Sequence, residues 1–266
     1  MYTAFASVYD RLMADVDYPE WAGFYHTLLD AYGIHQGKVC ECACGTGAMT
    51  ILLAGAGYQM TGVDASADML FEASQKARQS GAMIPFVKQD MRALRLHRQM
   101  DAVLCTNDGI NYLPSENDLS RFFLAAYQVL RPGGALLFDI STPYKLEYVL
   151  GNHFWGNDAG DITYMWQNHF SPSNQCVDLD LSIFIKQENG LYQRIDETQR
   201  QHAYSADTLQ DLLESAGFEA VQQYADKRYE SPAAHEERWH FAARKPFLLL
   251  NEERELPTAY HYNGKE

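Results

Sequence analysis

Four points in this chain could do chemistry, each where a short apolar run stops and a glycine or carboxylate follows: VCECACGTG (39–47), GVDAS (62–66), VKQDM (87–91) and VLCTNDG (103–109). A glycine turn between a strand and a helix brings backbone N–H groups up to a ligand, because no side chain holds it off. The run Gly45-Thr46-Gly47-Ala48-Met49-Thr50 has the first two glycines of the dinucleotide fingerprint and lacks the third. Asp64 follows 19 residues after Gly45, where a carboxylate can accept hydrogen bonds from both hydroxyls of a ribose. Asp90 ends another apolar run, in position to meet a base.

Cys40, Cys42 and Cys44 alternate, so in a strand they share one face at steps of about 6.6 Å. A tetrahedral zinc needs four ligands converging at about 2.3 Å from sulfur, which a straight strand cannot supply. They read as packing, and no metal is expected.

These residues work together only if a parallel sheet brings the strand ends to one edge. From residue 39 the chain alternates short apolar runs with helix-like segments, the rhythm of such a sheet covered on both faces. Strands are predicted near 38–43, 59–63, 85–89 and 101–106, with a fifth at ALLFDI. Helices are predicted at 49–55, from the cap Ser66 to about Gln79, and after the cap Ser115, where RPGG ends the helix. Residues 145–203 change to period two, with Ile162, Tyr164, Trp166 and Val177, Leu179, Leu181, Ile183 on one face, which signals antiparallel strands. A helix from Ser205 and strands near 220–224 and 238–243 resume the first pattern.

The expected domains are therefore 1–144, an N-terminal lid helix and core; 145–203, an antiparallel β insertion; 204–245, the rest of the core; and 246–266, a weakly structured extension. At 266 residues, 47% hydrophobic and 21% charged, the composition is that of a globular protein. Five cysteines are too few for a disulfide scaffold, and with no leader or membrane span evident the expected compartment is the cytoplasm. A net charge of −14 disfavours nucleic acid, and Arg92, Arg95, His97 and Arg98 read as a solvated surface.

The ordered set VCECACGTG, GVDAS, VKQDMRAL, DAVLCTNDGINYL and VLRPGGALLFDI resembles the five motifs of class I S-adenosylmethionine-dependent methyltransferases. YDRLMADVDYPEWAGFY is similar to the N-terminal segment of a small-molecule branch that includes amino-sugar N-methyltransferases. The resemblance implies a Rossmann-like doubly wound α/β sheet of seven strands, the last antiparallel, with an antiparallel β insertion after the fifth. It implies S-adenosylmethionine as methyl donor, S-adenosylhomocysteine as product, and transfer to N or O of a small acceptor. An insertion of this kind helps build a substrate pocket or a homodimer interface.

By the same resemblance Tyr9, Tyr18 and Trp21 would lie over the methionine end of the cofactor, and Ala43, Gly45 and Gly47 would approach its methionyl and ribose part. Glu41 would meet its ammonium, Asp64 the ribose with Ala65 near the adenine, and Asp90 and Met91 would clamp the base. Thr106, Asn107 and Asp108 would border the transferred methyl, with Asp108 or a pocket histidine a candidate general base and Tyr9 a candidate catalytic group. His153, Trp155, Tyr164, Trp166, His169 and His240 are further pocket candidates, each with packing as the rival role. Three readings stand beside this one: a nicotinamide oxidoreductase, a non-catalytic cofactor-binding protein, and a methyltransferase acting on RNA or protein.

Overall fold

The computed structural model describes residues 3–158 and 160–247. The chain runs α1 (Thr3–Leu12), α2 (Tyr18–Ala31), β1 (Lys38–Cys42), α3 (Ala48–Gly55), β2 (Gln59–Asp64), α4 (Ala67–Gln79), β3 (Phe86–Lys88), β4 (Met100–Cys105), α5 (Glu116–Val129) and β5 (Leu130–Ser141). There follow β6 (Phe154–Asp158), β7 (Ile162–Ser171), β8 (Cys176–Lys186), β9 (Tyr192–His202), α6 (Ala206–Ser215), β10 (Glu219–Tyr224) and β11 (Arg238–Arg244). The expected extension from Pro246 falls almost wholly outside the described residues.

Seven strands form one sheet in the order β10-β11-β5-β4-β1-β2-β3. The pairs among β1 to β5 are parallel, and β11 alone runs antiparallel to its neighbours β5 and β10. Strand order reverses between β1 and β4, and the crevice outside the carboxyl ends at such a switch point is where open α/β sheets take their ligands.

The buried strands alternate their loads between two cores. Cys40, Cys42, Val103, Cys105, Leu136 and Phe138 pack toward α5 and α6, while Val39, Ala102, Leu104, Ala135 and Leu137 pack toward α2 and α3. The helices start where the sequence supplies caps: Ser66 accepts from the Met69 N–H, Ser115 from Asp118, and Ser205 from Thr208.

Two local expectations change. The fifth strand begins earlier than ALLFDI, because β5 pairs from Leu130 directly after α5 and takes in RPGG. Its register slips between Met100↔Leu130 and Ala102↔Ala135, so the glycines form a bulge inside the ladder. A Cβ on Gly134 would stand 2.9 Å from the carbonyl oxygens of Asp101 and Arg131, which explains a glycine there. Residues 145–150, expected to open the antiparallel segment, instead form a π-helical turn over Lys145–Leu150.

The insertion is a separate four-stranded antiparallel sheet, β6-β7-β8-β9. Ile162 and Ile183 pack with Phe5, Val8 and Met69, so the insertion, α1 and α4 share a core. Arg11 of α1 donates to Asp161 at 2.6 Å. No described helix is long and apolar enough to cross a membrane.

Candidate functional site

A cavity of about 840 Å³ opens over the carboxyl ends of β1, β2 and β4, roofed by α1 and one face of the insertion. Its floor is the glycine loop after β1. Ala43 (φ 52°) and Gly45 (φ 52°) both take the left-handed conformation, and at Gly45 nothing lies within 4 Å of where a Cβ would sit. That bare backbone is what a ligand approaching the loop requires.

Glu41, 2% exposed, lines the cavity from beneath. Its carboxylate accepts from the Thr50 hydroxyl and, at 2.7 Å, from that of Thr106. Burial pushes its carboxyl up to about 7, despite those two hydrogen bonds. A partly protonated, caged carboxyl gains most from a cationic ligand, so the residue suits an ammonium group.

Asp64, at the end of β2, accepts from Gly45 N and Ser66 N, each at 2.8 Å, one on each oxygen. Asp64 lines the cavity, and a carboxylate has acceptor capacity beyond these bonds, as two vicinal hydroxyls would need. Burial raises this carboxyl too. Ala65 and Met91 line the same end. Bare backbone at Gly45, a doubly anchored carboxylate and a buried acid together fit an amino-acid-bearing nucleoside.

After β4, Asn107 (φ 56°) and Asp108 (φ 64°) are both left-handed, a conformation costing a non-glycine residue roughly 1–2 kcal/mol. Asp139 compensates: its two carboxylate oxygens accept from Asn107 N at 2.7 Å and Asp108 N at 3.0 Å. Gly109 must follow, because a Cβ there would be 2.6 Å from Cys105 Sγ. Asn107 Nδ2 donates to the Tyr9 hydroxyl at 3.2 Å, and Tyr9 and Tyr18 both line the cavity. Burial pushes both phenols upward, Tyr18 to about 12, so they stay neutral at ordinary pH.

The structure therefore brings Tyr9, Tyr18, Glu41, Ala43, Gly45, Asp64, Ala65, Asp90, Met91, Thr106, Asn107 and Asp108 to one cavity. Two expected residues stand elsewhere. Trp21 is buried in the core, with the Arg238 guanidinium 4.7 Å from its ring and His240 edge-on at 5.7 Å. Gly47 (φ 75°) caps α3 and faces α4 and β3, where a Cβ would press on Ala73 and Phe86 at 3.0 and 3.1 Å.

Two others have different partners from those expected. Asp90 caps the following turn and is bridged by Arg92, which lowers its carboxyl and continues to Asp118 at 2.8 Å. Asp108 is paired with Arg238, so although burial pushes its carboxyl up, the guanidinium charge holds it below the usual range. A carboxylate so held is a weak base.

Of the further candidates, Tyr164 and Trp166 line the cavity, while His153, Trp155 and His169 face outward. His240 is fully buried, 3.2 Å from the Tyr25 hydroxyl. Sequence reasoning missed Asp139, Arg238 and Lys145; only FDI, closing the fifth motif, hinted at the first. It also missed the α1 clasp, in which Asp10 accepts from Thr46 and Lys76, each at 2.6 Å.

A family model described as a methyltransferase domain matches residues 39–134. Over 253 residues the chain is 35% identical to YqeM of Bacillus subtilis (strain 168), a protein assigned to the methyltransferases, covering 94% of this chain and 100% of that one. The crystal structure of a S-adenosylmethionine-dependent methyltransferase from Clostridium acetobutylicum ATCC 824 superposes with a TM-score of 0.83 at 30% identity, over 92% of this chain and 99% of that one. The sugar N-methyltransferase KedS8 from Streptoalloteichus sp ATCC 53650 shares the fold, with a TM-score of 0.74 at 20% identity over 90% and 93% of the two chains.

Proposed function

The chain belongs to the class I S-adenosylmethionine-dependent methyltransferases, and from that premise we propose that it methylates a nitrogen or oxygen of a small molecule held between the core sheet and the insertion. The observation that carries the acceptor class is the continuity of the cavity, which runs from the loops after β1, β2 and β4 to Tyr164, Trp166, Leu179 and Gln201 of the insertion. A deep, half-open cleft of this kind admits a metabolite more readily than a folded RNA or protein surface.

Bound S-adenosylmethionine supplies an activated methyl on a sulfonium, so in-line transfer asks for alignment and exclusion of water and for no covalent intermediate. Asp64 would hold the ribose, Glu41 the ammonium, and the Ala43–Gly45 backbone the chain between them. Met91 would pack beside the base. Tyr9 and Asn107, tied together over the loop after β4, would orient the acceptor, and α1 would keep water out. Asp108 contributes position rather than proton removal, since Arg238 neutralises it. An amine acceptor would then enter in its neutral form.

Production of S-adenosylhomocysteine, measured against a panel of small amines and hydroxyl compounds, tests this reading. Release dependent on one member supports it; release only with RNA or protein, or none beyond the background, counts against it. We also propose a homodimer through the insertion, whose edge strand β6 is exposed along its length; light scattering at monomer mass would exclude it.

A further inference from the structure

The loop after β4 is held from behind. Asp139, near the end of β5, is fully buried and takes no part in the cavity lining. Yet each of its carboxylate oxygens accepts from one N–H of that loop, Asn107 N at 2.7 Å and Asp108 N at 3.0 Å. Asp139 is fixed in turn by the Tyr25 hydroxyl, which donates to it at 3.1 Å, and by Arg238, one nitrogen of which meets both Asp139 and Asp108. His240 stands behind Tyr25, with Nδ1 3.2 Å from the same hydroxyl.

Peptide geometry carries this arrangement to the other side of the loop. None of the described peptide bonds is cis, and in a planar trans peptide the C=O points opposite to the N–H. With the Asn107 and Asp108 N–H groups aimed at Asp139, the carbonyls of Thr106 and Asn107 are turned away from it. The next carbonyl, that of Asp108, is instead taken by Asn111 N at 2.9 Å. Thr106, Asn107 and Asp108 all line the cavity. The orientation is reached through two consecutive left-handed residues that are not glycine, and backbone held in such regions by its surroundings collects at functional sites.

We propose that Asp139 is a positioning residue for methyl transfer: by drawing both N–H groups to the buried side of the loop, it presents the carbonyl oxygens of Thr106 and Asn107 to the methyl group of S-adenosylmethionine. A methyl on a sulfonium carries positive charge on its hydrogens, so two carbonyl oxygens attract it through C–H···O contacts and hold it in line. S-adenosylhomocysteine has neither that methyl nor that charge, so the loop distinguishes donor from product. The proposal rests on the placement of the cofactor given above and is independent of the acceptor.

Calorimetric titration of S-adenosylmethionine and S-adenosylhomocysteine, without acceptor, into the wild-type protein and Asp139→Asn tests it. The amide keeps one acceptor oxygen and turns donors toward the other loop N–H, while Arg238 retains Asp108 as its partner. Affinity for S-adenosylmethionine should fall about tenfold relative to that for S-adenosylhomocysteine, the effect of two weak contacts. A merely structural role would lower both affinities alike; that result, or an unchanged ratio, overturns the proposal. Sinefungin, which carries an ammonium group in place of the methyl, supplies a test on the wild-type protein alone. It should bind about tenfold tighter than S-adenosylhomocysteine, as hydrogen bonds from a charged donor to those carbonyls would give, and binding no tighter overturns the proposal even if the variant does not fold. If the wild-type protein binds none of the three ligands, the placement of the cofactor falls as well.

Discussion

Glu41 stands inside the sheet, almost without solvent, yet it is a carboxyl that faces a cavity. With its value raised from 4.5 to about 7, the folded protein binds this proton more tightly than the unfolded chain does. Stability of the ligand-free protein should therefore fall as pH rises from about 4.5 to about 7, by about 3 kcal/mol in all, and level off above. Denaturant unfolding at a series of pH values checks this, and Glu41→Gln should remove that component of the slope. Asp64 carries a different load, since it shapes the loop as well as facing the ligand. Asp64→Ala should weaken S-adenosylhomocysteine binding about tenfold to a hundredfold by calorimetry; unchanged affinity would remove it from the ribose site. At this scale the motifs named most of the lining correctly, because strand ends in a parallel sheet converge by geometry. They could not show the partner of Asp108, an arginine 130 residues away.

Among the elements, the decisive one is β11. Its antiparallel pairing with β5 places Arg238 opposite Ser141 and beneath the loop after β4, where it meets Asp108 and Asp139 together. Tyr25 of α2 donates to the same Asp139 at 3.1 Å, so two helical and strand elements fix the carboxylate that holds the left-handed pair Asn107 and Asp108. Arg238→Met should destabilise the fold by about 3–5 kcal/mol, because it leaves two buried carboxylates without a counterion. Chemical denaturation measures that loss, and adding Asp108→Asn should recover part of it; additive losses would mean that the two side chains do not act as a pair. Helix starts and the insertion's alternating strands were readable from local chemistry, caps and period-two patterning. The bulge at Gly133 and Gly134 and the π-helical turn were not, since each answers a neighbour distant in sequence.

For the molecule as a whole, a net charge of −14 bears on partners more than on fold. At 0.15 M salt no binding to tRNA at micromolar concentration is expected, and fluorescence titration across a salt series would reveal an error as an affinity that falls steeply with salt. The order of five motifs, the run of buried strands and the later antiparallel segment were enough to determine the methyltransferase class and the seven-stranded sheet. All of that depends on local backbone geometry repeated along the chain. The tertiary structure alone decided that Trp21 and Gly47 pack away from the cavity and that Asp108 is paired with Arg238. The physical reason is that protonation and bonding depend on what packs nearby, and the neighbours here come from β5, β11 and the insertion, whose contacts no local pattern encodes.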